Sequence, residues 1–118
     1  MARGDVLLIR LPDSDQREEK GTRPAIAVQT DIVISPMLMV IPVTSSLGAK
    51  RFPFTVKLEP SETNGLTLTS IALVFQLRAI DPKRIVRKIG ELEADYLEQI
   101  DAEIWRMLKP LDEQKLDS

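Results

Sequence analysis

Apolar residues in this chain come in short runs that Pro, Gly or polar clusters keep breaking, and this punctuation limits what the chain can fold into. Asp5-Val-Leu-Leu-Ile-Arg-Leu11 stops at Pro12 and gives way to a polar stretch from Asp13 to Thr22. Pro24–Gln29 and Met37–Thr44 follow, with Ser35-Pro36 between them. Runs of this length bounded by turn residues read as strands, and these three read as buried ones. Thr44–Arg51 has no apolar period and predicts a loop, whereas Phe52, Phe54, Val56 and Leu58 alternate and predict a half-buried strand. Asn64-Gly65 marks a turn before a further strand over Leu68–Leu77, centred on Ile71, Leu73 and Phe75.

The pattern changes near residue 81. Asp81-Pro82 suits a short helical turn, because Asp caps free amides and Pro tolerates the first helical position. Ile85–Ile89 comes next, and Gly90 sets it apart from Glu91–Lys109. There Leu97, Ile100, Ile104 and Leu108 recur at helical spacing, with Trp105 and Met107 nearby, up to Pro110. This stripe is read as packing surface. A mainly β (α+β) fold is expected, a small, strongly curved antiparallel sheet or barrel with one C-terminal amphipathic helix. With 118 residues the chain makes a single domain, taken as 1–110 with a polar tail 111–118.

The chain has no Cys and no His. That removes disulfides, thiolate nucleophiles, imidazole acid/base pairs and nearly every transition-metal site, so chemistry falls to carboxylates, Arg, Lys and hydroxyls. No cofactor or metal is expected. No apolar run approaches the roughly 18 residues that span a bilayer, and the N-terminus lacks a signal-peptide pattern, so the expectation is a cytoplasmic protein with no membrane partner. The net charge of −2 hides a division. Residues 1–90 carry 13 Lys/Arg against 9 Asp/Glu, and 91–118 carry 3 against 9, so a body of +4 is joined to a tail of −6. Arg17, Lys20, Arg23, Lys50 and Arg51 all fall in the two polar loops, where a polyanion would meet them.

Two residues at run boundaries carry chemical potential. Arg23 stands between the polar loop and the run from Pro24, where its base is held while its guanidinium can face an anion. Thr44 ends an apolar run with a hydroxyl able to donate to a phosphate oxygen or to satisfy the strand's last backbone groups.

Gly21-Thr-Arg-Pro-Ala-Ile-Ala-Val28, Val40-Ile-Pro-Val-Thr-Ser-Ser46 and Gln76-Leu-Arg-Ala-Ile-Asp81, taken in order, resemble the MazF/PemK toxin family. Arg3-Gly-Asp-Val6, Phe52-Pro-Phe54, Ser70 and Ile89-Gly-Glu-Leu92 extend the resemblance over almost the whole chain. It implies an SH3-like barrel that dimerises and cuts single-stranded RNA without a metal, held silent by a cognate antitoxin whose acidic, extended segment occludes the RNA groove. Arg23 and Thr44 match the family's catalytic Arg and Thr, and Glu18, with Glu19 as its rival, falls where some members carry an active-site Glu. The implied RNA-binding set is Lys20, Ser45, Lys50, Arg51, Phe52, Gln76 and Arg78. The implied reaction is attack of the ribose 2′-hydroxyl on the adjacent phosphorus, leaving a 2′,3′-cyclic phosphate. Two departures stand out: there is no His in the first loop, and Phe75 occupies a position where some members have Asp or Glu. A non-catalytic binding module on the same fold is the alternative.

Overall fold

In the computed structural model, which describes residues 2–10, 21–30 and 36–109, the first three apolar runs form the centre of an antiparallel sheet. They are β1 (Asp5–Arg10), β2 (Thr22–Ala27) and β3 (Leu38–Thr44). β4 (Thr55–Leu58), β5 (Ser70–Leu73), β6 (Arg78–Ile80) and β7 (Ile85–Glu91) complete seven strands among the described residues, before helix α1 (Ala94–Leu108). The order is β4-β5-β3-β2-β1-β7, with β6 on β3. β1, β2 and β3 read as nearly continuous apolar runs because they are covered on both faces. Val6, Ile26, Ile41 and Val43 belong to the main core, while Leu7, Ile9, Ala25, Ala27 and Val40 belong to a second cluster.

β3 is shared, and that bends the sheet. Its first residues pair with β6 (Leu38↔Ile80 to Val40↔Arg78) and its last with β5 (Val43↔Ala72, Thr44↔Ile71). Between the two stretches the register slips by three residues, the length of a 3-10 turn at Val74–Gln76. The single strand expected over Leu68–Leu77 is therefore only β5 at Ser70–Leu73, followed by the turn that holds Phe75, with β6 starting beyond it at Arg78. The strand expected from Phe52 begins only at Thr55, because Phe54 sits at φ 60, outside the range of a strand. Leu47–Arg51, expected as loop, is a 3-10 turn.

Among the described residues strand pairing does not close this sheet into a barrel: β4 and β7 end its main row, with β6 beside β3. The turn after β4 spans the gap instead. Thr63 O accepts from Glu91 N–H at 2.8 Å, and Gly65 and Gly90 allow the close approach. A Cβ on Gly65, at φ +72, would stand 1.9 Å from Ile89 O, and one on Gly90 would stand 2.4 Å from the Asn64 carbonyl carbon. Gly90 thus lies inside a strand paired with Val6 rather than separating two elements, and the helix begins at Ala94 instead of Glu91. Asp81 does cap its turn, accepting from Lys83 N–H at 2.9 Å.

α1 lays Ile100, fully buried, on the main core, with Leu97, Ile104 and Met107 packed around it. Leu108, expected in the stripe, is 66% exposed. At 3.6 residues per turn it points about 80° from Ile100, whereas Met107 comes within about 20°. Arg3 ties the helix to the sheet, donating to Val28 O at 2.8 Å and pairing with Asp101.

Asn64 organises the closing turn. It is fully buried, accepts from Ser61 N–H (3.1 Å) and Leu66 N–H (3.0 Å), and donates to Glu59 O (3.0 Å) and Glu93 Oε1 (3.1 Å). Asn64→Ala leaves these partners unpaired and is expected to lower stability by about 2–3 kcal/mol in urea denaturation. Burial pushes the Glu93 pKa up, but hydrogen bonds from the Ser61 hydroxyl, its own backbone and Asn64 outweigh this and hold it below the ordinary 4.5. Its contribution is complete above that value and is lost as pH falls through the lower folded value. Urea midpoints should therefore drop on acidification below about pH 4.5 in the wild type and drop less in Glu93→Gln.

Candidate functional site

The register that builds the sheet also builds a cleft. β2 and β3 pair as Ala25↔Pro42, Ile26↔Ile41 and Ala27↔Val40, so continuing two residues toward the strand ends sets Arg23 opposite Thr44. Residues opposite one another in an antiparallel pair share a face at roughly 5 Å between Cβ atoms. Both line one cleft of about 400 Å³. The row one residue further in, Arg87↔Leu8↔Pro24 with Val43 beyond, also borders it. Because consecutive residues of both strands contribute, the cleft wraps the strand ends rather than lying flat on one face.

The opposite wall is the turn that Asn64 holds, Gly65 to Leu68, with Ser70 at the start of β5. Thr44 Oγ1 accepts from Ser46 N–H at 3.2 Å, which orients the hydroxyl and leaves its own proton to donate. Ser45 and Ser46 continue that rim, and the Ser70 hydroxyl donates to Leu68 O at 2.8 Å. The cleft therefore presents two guanidinium-bearing residues and several hydroxyls around an apolar floor of Leu8, Pro24 and Val43. Such a lining suits an anion joined to a flat or apolar group. Among the described residues no three acidic side chains converge to hold a metal ion.

Of the residues expected from sequence, Arg23, Thr44 and Ser45 come together here. Lys50, Arg51, Phe52 and Gln76 are not among the residues that line the cleft; Lys50 and Arg51 belong to the 3-10 turn Leu47–Arg51, and Gln76 to the turn Val74–Gln76. The Phe52 and Phe75 rings lie 5.7 Å apart, tilted by 56°, and the Arg51 guanidinium sits 4.7 Å above Phe52. Phe75 N–H donates to Phe54 O, so the left-handed turn at Phe54 sets the position of this pair. Both rings are exposed, Phe52 at 43% and Phe75 at 39%, whereas Phe54 packs on the core under Arg106. Phe52 and Phe54, expected to share a face, thus part company. Arg78 pairs with Val40 on β6, apart from the residues that line the cleft. Glu18, Glu19 and Lys20 lie outside the described residues.

Sequence reasoning missed Arg87 and the Thr67 wall. Arg87 belongs to a visible cluster of cations at 83, 84, 87 and 88, but only the β1–β7 pairing reveals which of them reaches the cleft.

The family model described as PemK-like, MazF-like toxin of type II toxin-antitoxin system matches residues 2–108. The chain belongs to this family. It is 30% identical over 101 residues to endoribonuclease EndoA of Bacillus subtilis, covering 84% of this chain and 86% of that protein. Its fold is similar to that of an endoribonuclease solved in complex with its cognate antitoxin from a mycobacterial species, with a TM-score of 0.74, 16% identity and coverage of 95% and 99% of the two chains. It is also similar to MazF in a MazE–MazF structure from Deinococcus radiodurans, with a TM-score of 0.71, 23% identity and coverage of 94% and 97%.

The exposed ring pair and the buried helix anchor differ in what they do for stability. Phe52→Ala and Phe75→Ala are each expected to lower it by no more than about 1.5 kcal/mol, whereas Ile100→Ala should cost about 2–5 kcal/mol, both read from urea midpoints.

Proposed function

We propose that this toxin is an endoribonuclease that cleaves single-stranded messenger RNA without a metal ion. The observation that carries the reading is that Arg23 and Thr44, opposite each other by register, line one cleft with room for a ribonucleotide linkage. The relative named endoribonuclease EndoA supports the same activity.

The ribose 2′-oxygen attacks the adjacent phosphorus and the 5′-oxygen leaves, so one P–O bond forms as another breaks and a 2′,3′-cyclic phosphate remains. Arg23 neutralises charge developing on the non-bridging oxygens through its N–H donors; its pKa is too high for proton donation. Thr44, its hydroxyl oriented by Ser46 N–H, donates to one of those oxygens. Glu18 receives the 2′-proton, a role worth on the order of 10²–10⁴-fold. Lys20, Lys50, Arg51, Gln76 and Arg78 hold the strand, and Phe52, with Phe75 beside it, offers an unstacked base a platform.

We also assign the protein a homodimeric state and a cognate antitoxin, which would cover the cleft with an acidic extended segment, since such a segment neutralises the same cations. The antitoxin complexes of similar structures support this partner. Among the described residues no helix is long and apolar enough to cross a membrane. A cytoplasmic place follows from the proposed substrate.

Incubation with a long single-stranded RNA in EDTA should give fragments ending in cyclic phosphate, and a 2′-deoxy substitution at the cleaved nucleotide should block cutting. Arg23→Ala and Thr44→Val are expected to lower kcat by about 10²–10³-fold. Intact RNA with the wild type, or cutting at the 2′-deoxy linkage, overturns the reading.

A further inference from the structure

We propose that the ends of β1 and β7 carry a phosphate-binding track that prolongs the cleft, formed by Arg10, Lys83 and Arg84 and joined to it through Arg87. Its ligand is the phosphodiester backbone of the RNA strand leaving the cleft, so the inference rests on the RNA reading above.

Register places the track. Thr22, a cleft-lining residue, pairs with Arg10. β1 pairs with β7 as far as Ile9↔Ile85, and Arg84, the last residue of the 3-10 turn that leads into β7, borders the same hollow as Arg10. Alternation puts Arg10 and Thr22 on the same face as Leu8 and Pro24, the cleft floor. On β7 the pairings Leu8↔Arg87 and Ile9↔Ile85 leave Val86 as an extra residue, and Arg87, on the far side of this bulge from the turn, lines the cleft. Arg10 thus stands one strand spacing, about 4.8 Å, sideways from Thr22 at the cleft wall, with Lys83 and Arg84 beyond it around the hollow.

Among the described residues the track has little opposing charge. Arg10, Lys83 and Arg84 surround a second hollow of about 200 Å³, where Asp81, the one carboxylate among the described lining residues, accepts from Lys83 N–H. Among the described residues none of Arg10, Lys83, Arg84 and Arg87 forms an ion pair. Their neighbour Lys88, by contrast, bridges Asp5 and Glu91 at 3.2 and 3.0 Å. Like charges gathered around one hollow repel each other, and a bound polyanion relieves that repulsion. A series of phosphates fits a row of cations spaced along a sheet edge.

The test uses labelled 2′-O-methyl RNA, which lacks the nucleophile and stays intact, in two lengths: about 4 nucleotides, filling the cleft, and about 12, long enough to leave it. Binding is followed by anisotropy against salt for the wild type, Arg10→Gln, Arg84→Gln and the double variant. For the long strand each lost phosphate contact should reduce the slope of log K against log salt by about 0.7, or about 1.4 in the double variant. Affinity for the short strand should not change. The double variant should melt at or above the wild-type temperature, because a repulsion has been removed.

An unchanged slope in the folded double variant, with the wild type binding RNA, overturns the track and leaves the RNA reading standing. Equal loss for both lengths also overturns it, since the residues would then serve the cleft itself. Loss of polyglutamate binding with the RNA slope retained assigns the row to an acidic peptide and overturns it as well. A wild type that neither binds nor cuts RNA defeats both.

Discussion

The antiparallel pairing of β1, β2 and β3 is the constraint on which the other features depend. Pairing by backbone hydrogen bonds permits no half-steps, because a slip of one residue would turn every side chain to the other face. Two buried clusters, one on each side of these strands, make that slip prohibitive: Val6, Ile26 and Ile41 cannot exchange places with Leu7, Ala25 and Val40 without emptying both. The same register that fills the cores brings Arg23 and Thr44 to one cleft and pairs Arg10 with Thr22. Stability and polar placement are two results of one pairing.

The closing turn is the second device, and it acts on the cleft from the other side. A sheet whose edges do not meet would leave the space beyond β3 open to solvent. Asn64 prevents this by satisfying four backbone and side-chain groups at once, while Gly65 and Gly90 let two backbones approach within a distance no side chain tolerates. The wall formed by Gly65 to Leu68 is thereby held by groups that do not themselves line the cleft, Glu93 and Glu59 among them. Hydroxyls and cations at the opposite rim gain a fixed partner surface, which is what preorganisation requires.

Much of this was legible in the chain and some was not, for identifiable reasons. Short apolar runs located β1, β2 and β3, and Asp81-Pro82 located its turn. The run at 68–77 misled because 3-10 turns and strands accept the same apolar residues; only the three-residue slip between the β5 and β6 pairings on β3 demands the kink at Val74–Gln76. Phe52 and Phe54 looked like strand neighbours because alternation says nothing about φ, and Phe54 adopts 60°. Gly90 looked like a break because a glycine demanded by a neighbouring backbone and a glycine ending an element are the same letter.

By itself, the sequence determined the β-rich class, the amphipathic helix and the exclusion of thiol and imidazole chemistry, since each follows from local pattern or residue type. Tertiary structure alone decided that Arg23 and Thr44 line one cleft, that Arg87 reaches it, and that Arg10 and Arg84 border one hollow. Such relations depend on register between segments tens of residues apart, and register is set by how both faces of the sheet are buried together, a property no single segment contains.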